Sequence, residues 1–160
     1  MRTMQQWFDE YGQSHQNHTN KLIHWVCVPL IFFSVIGLLA SIPSGALKEP
    51  FPPQVQPYVH FGTVLVVLGL LFYLRLSFTM FLGMALICGM MLWAVHTVEE
   101  AFETPLWLIS LVVFILAWIG QFYGHKVEGK KPSFLKDVQF LLIGPAWLLG
   151  FIYRKLGIPY

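Results

Sequence analysis

Residues 58–95 read YVHFGTVLVVLGLLFYLRLSFTMFLGMALICGMMLWAV, and within this block the only formal charge is Arg75. One helix needs about 20 apolar residues to cross the hydrocarbon of a bilayer. The block is nearly twice that length, so it reads as a helical hairpin that turns near Arg75, Leu76 and Ser77. The expected crossings are 58–74 and 78–96. Upstream, Pro43, Ser44, Gly45, Pro50, Pro52, Pro53 and Pro57 form a loop rich in helix breakers. Before that loop lies another apolar block, 22–42, with Pro29 inside it. A membrane helix tolerates such a proline when neighbouring groups satisfy the released carbonyl.

Downstream, His96 to Glu103 reads as a polar, acidic connector, and 106–123 as a fourth crossing. The last apolar run, 140–153, is short and contains Gly144, Pro145 and Gly150. Runs of that length more often lie in the interface or re-enter than span. At the other end, Arg2 to Gly12 places Met4, Trp7, Phe8 and Tyr11 on one helical face. Such a helix lies on the membrane or caps the bundle. The expected fold is therefore an all-α integral membrane protein forming a single domain over 1–160. It has four transmembrane helices, an N-terminal amphipathic helix with a histidine segment (1–20), and a basic tail (124–160) ending in an interfacial or re-entrant helix.

Composition agrees. The chain is 56% hydrophobic and 11% charged, whereas soluble domains carry about 25% charged residues. The net charge is +2, with no basic stripe interleaved with aromatics, which argues against nucleic-acid binding. Cys27 and Cys88 lie inside apolar blocks and read as small hydrophobes rather than a disulfide. The first twenty residues are polar and lack a cleavage pattern, so the first apolar block is expected to be retained.

Four crossings put Arg2, Lys21, Arg75, Lys126, Lys130, Lys131, Lys136, Arg154 and Lys155 on one side. The other side has Lys48 with Glu99, Glu100 and Glu103. The positive-inside rule then places both termini in the cytoplasm, at the inner membrane of a bacterium or the endoplasmic reticulum of a eukaryote. The same topology divides the histidines. His15, His18, His24 and His125 fall at the cytoplasmic face, and His60 and His96 at the opposite one.

Imidazole is the commonest metal ligand. His15 and His24 are nine residues apart, and nine steps of about 100° put them on opposite faces of one helix. They converge only if the helix breaks between them, and a cap at Thr19 or Asn20 would supply the break. Spacing leaves two readings. One is a metal held by His15, His24 and His125, with Glu128 as ligand or supporting acceptor. The other is a set of interfacial histidines that anchor as Trp and Tyr do. His18 reads as a solvated turn residue or a fourth ligand. His96, Glu99, Glu100 and Glu103 read as an exposed acidic loop before a metal site. Lys126, Lys130 and Lys131 either grip a carboxylate or phosphate or meet anionic lipid.

Two segments carry a resemblance: YGQSHQNHTNKLIHWVCVP (11–29), and QFYGHKVEGKKPSF (121–134) followed by Gly144-Pro145. Together they resemble the Mpo-like family, whose yeast namesake metabolises phytosphingosine to odd-numbered fatty acids. The likeness extends over most of the chain. It implies a membrane-bound, iron(II)-dependent dioxygenase that shortens 2-hydroxy fatty acids by one carbon, with O2 and the hydroxy acid as substrates and membrane lipid as surroundings. It also implies that His15, His24 and His125 match the family's histidines, and that Asn17, Asn20, Glu128 and Pro132 support them. The chain departs from the family pattern at His18, where many relatives have proline, and in the spacing from His125 to Glu128. A non-catalytic haem protein, or a structural or lipid-binding membrane protein, is the alternative.

Overall fold

The computed structural model describes residues 2–129 and 140–160. Among them are seven α-helices: α1 (Met4–Gly12), α2 (His18–Ala40), α3 (Gly45–Lys48), α4 (Phe61–Leu76), α5 (Phe78–Ala101), α6 (Leu106–Glu128) and α7 (Ile143–Leu156). A short 3-10 turn, Gln56–Tyr58, precedes α4, and no strand occurs among the described residues.

Local chemistry sets the helix ends. Thr3 and Gln6 form a reciprocal capping box at α1, with the Gln6 N–H donating to Thr3 Oγ1 (3.2 Å) and the Thr3 N–H to Gln6 Oε1 (2.8 Å). Helix α2 begins earlier than the expected cap at Thr19 or Asn20. The cap is Asn17, whose Oδ1 accepts from the Thr19 N–H (2.8 Å) and the Asn20 N–H (3.4 Å). The hairpin turns where expected, on one residue. Extended Ser77 ends α4 and caps α5, its hydroxyl accepting from the Met80 N–H (3.2 Å). The expected connector from His96 is instead helical as far as Ala101. No glycine or proline interrupts that stretch, and extended Phe102 is its first break. Helix α6 runs a turn past its apolar block to Glu128 and stops at Gly129, whose φ of 73° is a left-handed conformation suited to a residue without Cβ.

Helices α2, α5 and α6 are long and apolar enough to cross a membrane. Large apolar side chains point outward along them and along α4, among them Leu68, Leu86, Trp93 and Leu116. The remaining expected crossing, α4, has 16 residues, about 24 Å at 1.5 Å per residue, short of a hydrocarbon core of about 30 Å.

The longest packing surface joins antiparallel α2 and α6, and small residues let them approach closely. A Cβ on Gly37 would run into Ser110, one on Gly120 into Cys27, and one on Gly124 into Asn20. Such pairs substitute backbone proximity for side-chain volume, as in other membrane helix contacts. Helices α4 and α5 form the hairpin beside this pair. Helix α7 wedges in against α1, α2 and α5. Every residue from Ile143 to Gly150 is buried, so its first two turns are a packed bundle element rather than an interfacial one. Tyr153 fixes it by donating to the Thr79 carbonyl (2.9 Å). Helix α1 caps the bundle, as one of its two expected placements had it, by burying Met4, Phe8 and Tyr11.

Gly37→Val forces α2 away from Ser110, and overpacking of this kind costs about 1–3 kcal/mol. A clear drop in detergent thermal midpoint is expected. Gly89→Ala, where an added Cβ meets nothing, leaves the midpoint unchanged or slightly raised.

Candidate metal centre

Three buried imidazoles converge where α1, α2 and α6 meet. His15 lies in the linker between α1 and α2, His24 on α2 and His125 on the last turn of α6. The helix break needed to bring His15 back onto His24 is the segment between Gly12 and His18. One ring nitrogen from each histidine lies within 4.8 Å of the other two. Bonds of about 2.0–2.1 Å to a shared ion would hold the three nitrogens within about 4 Å of one another, so small side-chain adjustments close the set.

Hydrogen bonding fixes which nitrogens face inward. His15 Nδ1–H donates to the Tyr11 carbonyl (2.6 Å), and His24 Nδ1–H donates to the Asn20 carbonyl (2.9 Å). In a neutral imidazole the other nitrogen then carries a lone pair. His15 Nε2 and His24 Nε2 are 2.8 Å apart, so two acceptors point at each other with no proton between them. A cation resolves that conflict. Burial holds the His15 pKa down at about 4, against its backbone hydrogen bond to Tyr11 and assisted by His125. The ring is therefore neutral and able to ligate at neutral pH. His125 completes the cluster with a buried Nδ1 that has no hydrogen-bond partner. An orphaned nitrogen and two opposed lone pairs fit a metal better than they fit a packed apolar core.

The supporting residues act through the backbone. Glu128 is not among the converging groups. Its Oε1 accepts from the Gln16 N–H (2.8 Å), and its Oε2 from the Asn17 N–H (2.9 Å) and Asn20 Nδ2 (3.0 Å). One carboxylate thus ties the His15 linker to the end of α6. Asn20 also donates to the Ser14 carbonyl (3.2 Å) while its own carbonyl orients His24. Gly124 makes room for Asn20. His18 points outward and stays apart from the cluster, and Lys126 is exposed. Lys130, Lys131 and Pro132 lie outside the described residues. His60 and His96 sit at the opposite end of the bundle. There His60 caps α4, and the His96 ring packs on Tyr58 with centroids 5.0 Å apart.

Three further residues border the cluster without being marked by any metal-ligand chemistry in the sequence. Tyr11 stacks on His15 with ring centroids 4.2 Å apart and 12° between planes. Trp147 of α7 lies 5.4 Å from the same ring. Gln121, buried one turn before His125, stands with His24 in the wall of a cavity. Gln121 had a legible signal, since it is a lone amide inside an apolar block on the face of His125. Tyr11 and Trp147 look like ordinary interfacial aromatics until α1 and α7 are packed.

With this geometry in place, comparison with known proteins identifies the class. The chain belongs to the family described as 2-hydroxy-palmitic acid dioxygenase Mpo1-like, which matches residues 1–156. Among individual relatives it is similar to the 2-hydroxy-palmitic acid dioxygenase MPO1 of Saccharomyces cerevisiae, at 30% identity over 155 residues. That alignment covers 92% of this chain and 78% of the yeast protein. No solved structure matches the chain.

Glu128→Gln replaces one oxygen of the clamp with a donor that faces N–H groups. Loss of a supporting group typically lowers metal affinity about 10–100-fold. Titration with Co(II) or Fe(II) is expected to weaken by that factor while far-ultraviolet circular dichroism stays unchanged.

Proposed function

We propose that this chain is an iron(II)-dependent dioxygenase that shortens 2-hydroxy fatty acids by one carbon, an α-oxidation, at the cytoplasmic face of a membrane that it crosses four times. The observation that carries the reading is the pair of opposed imidazole nitrogens 2.8 Å apart, with His125 beside them, in a member of this family. His15, His24 and His125 would hold the iron. Bound there, Fe(II) with open positions would bring O2 and the hydroxy acid together and supply the electrons that start O2 reduction. The overall balance is 2-hydroxy acid plus O2 giving the shortened acid, carbon dioxide and water. The bond between C1 and C2 breaks, C2 gains an oxygen, and no 2-oxoglutarate is consumed.

The protein's own groups do the positioning. The backbone carbonyls of Tyr11 and Asn20 keep both Nδ1 atoms protonated and both Nε2 atoms available. Glu128 holds the linker that carries His15. Lys126, Lys130 and Lys131 follow or flank the cluster in sequence and would steer the substrate carboxylate to the headgroup level. The haem alternative is disfavoured by distance, because a porphyrin plane has no place between nitrogens 2.8 Å apart. Crossing by α2, α4, α5 and α6 puts both termini on the side with most of the lysine and arginine, which supports a cytoplasmic site. A span as short as α4 is accommodated by local thinning of the bilayer at modest cost.

The purified protein with Fe(II) and 2-hydroxypalmitate in detergent is expected to release the fifteen-carbon acid, with iron bound in stoichiometric amount. His24→Ala should lose both the iron and at least about 100-fold in turnover, since removing a metal ligand removes the centre itself. Iron retained by that variant, or no product from the native protein, would sink the proposal. Reporter fusions at the two termini are expected to respond from the same side of the membrane; opposite sides would mean an odd number of crossings.

A further inference from the structure

A cavity of about 220 Å³ begins at His24 and Gln121 and is otherwise almost wholly apolar. On α2 its wall is His24, Val28, Ile31 and Val35, which are spaced four, three and four residues apart and so share one face. On α6 its wall is Phe114, Trp118 and Gln121, again one face. The two helices are antiparallel, so both series run the same way, from the histidine cluster toward the other end of the bundle, where Val35 and Phe114 are half-buried. Val35 lies eleven residues beyond His24, about 16 Å along the axis. The ends of this groove differ in kind. One presents an imidazole and an amide, and the other presents only Val35 and Phe114.

We infer that the groove holds the alkyl tail of the substrate, and that Val35 and Phe114 at its far end set the preferred tail length. This rests on the proposed function for the identity of the head group. It adds where the tail goes and which residues measure it. A polar head at the cluster and an apolar tail along the two helix faces match the groove end for end. An extended alkyl chain advances about 1.3 Å per carbon, given a C–C bond near 1.52 Å, so the groove accommodates about 12 carbons beyond the reacting head. Gln121, opposite His24, marks the border between the two chemistries. Chains that outgrow the floor must bend or displace Phe114, and chains that fall short leave apolar wall unfilled. Either mismatch weakens binding without touching the cluster.

Two measurements test this. First, turnover is followed over a series of 2-hydroxy acids from ten to twenty carbons. Val35→Phe shortens the groove and is expected to cut turnover of the longest substrates at least tenfold relative to the shortest. Phe114→Ala lengthens it and is expected to shift the preferred length upward. Unchanged length profiles in both variants overturn the inference. Second, a 2-hydroxy acid with a diazirine at the tail end reports tail position without requiring turnover. Cross-links at Val35, Phe114 or their immediate neighbours support the groove, and cross-links confined to outward-facing residues such as Leu116 overturn it. Labelling by a diazirine phospholipid that 2-hydroxypalmitate does not displace also overturns it, because the groove then belongs to structural lipid. Tail labelling at the floor together with no product from the native protein leaves the groove standing and removes the proposed function.

Discussion

The close contact between α2 and α6 is the constraint on which the rest depends. Three close meetings, Gly37 with Ser110, Gly120 with Cys27, and Gly124 with Asn20, let two long antiparallel helices approach with a side chain of one seated against the bare backbone of the other. In lipid there is no gain from hiding apolar surface between helices, so packing of this intimacy is a principal source of association. The same contact brings His24 and His125 to a common level although they are far apart in the chain. It also leaves a groove beside the contact, where Val28, Ile31 and Val35 face Phe114 and Trp118. Cluster and groove are thus two products of one helix pair.

The third histidine arrives by a different route. His15 lies on no helix, so it needs anchoring from several directions. Tyr11 accepts from its Nδ1 and stacks on its ring, Trp147 packs nearby, and the Glu128 carboxylate gathers the two backbone N–H groups that follow it. Helix α1 exists to end at the right place, and the buried face of α7 gives it something to rest on. The short amphipathic segment and the short apolar segment together hold the one member of the His15, His24 and His125 cluster that the long helices do not.

Much of this was legible in the sequence. Apolar block lengths pointed to an all-helical bundle, three of whose helices are long and apolar enough to cross a membrane, and the turn expected near Ser77 is the hairpin. Dividing the histidines by topology singled out His15, His24 and His125 ahead of His60 and His96, and these three do converge. What sequence concealed was local or tertiary. The cap at Asn17 competes with two equally good cap residues at Thr19 and Asn20, and only the geometry of the Glu128 clamp favours the earlier one. His96 to Ala101 looked like a connector because it is polar, yet polarity does not stop a helix when no residue breaks it. The burial of α7 could not be read from its length, since a fourteen-residue apolar helix suits an interface and a bundle interior equally.

The order of the chain gives the cluster a temporal aspect. His15 precedes the first long helix and His125 ends the last, so the set cannot be complete until every long helix has been synthesised and paired. Until α6 docks, His15 and His24 can meet only each other, as two lone pairs in opposition. An ion held by all three histidines would therefore mark a chain whose long helices have already paired.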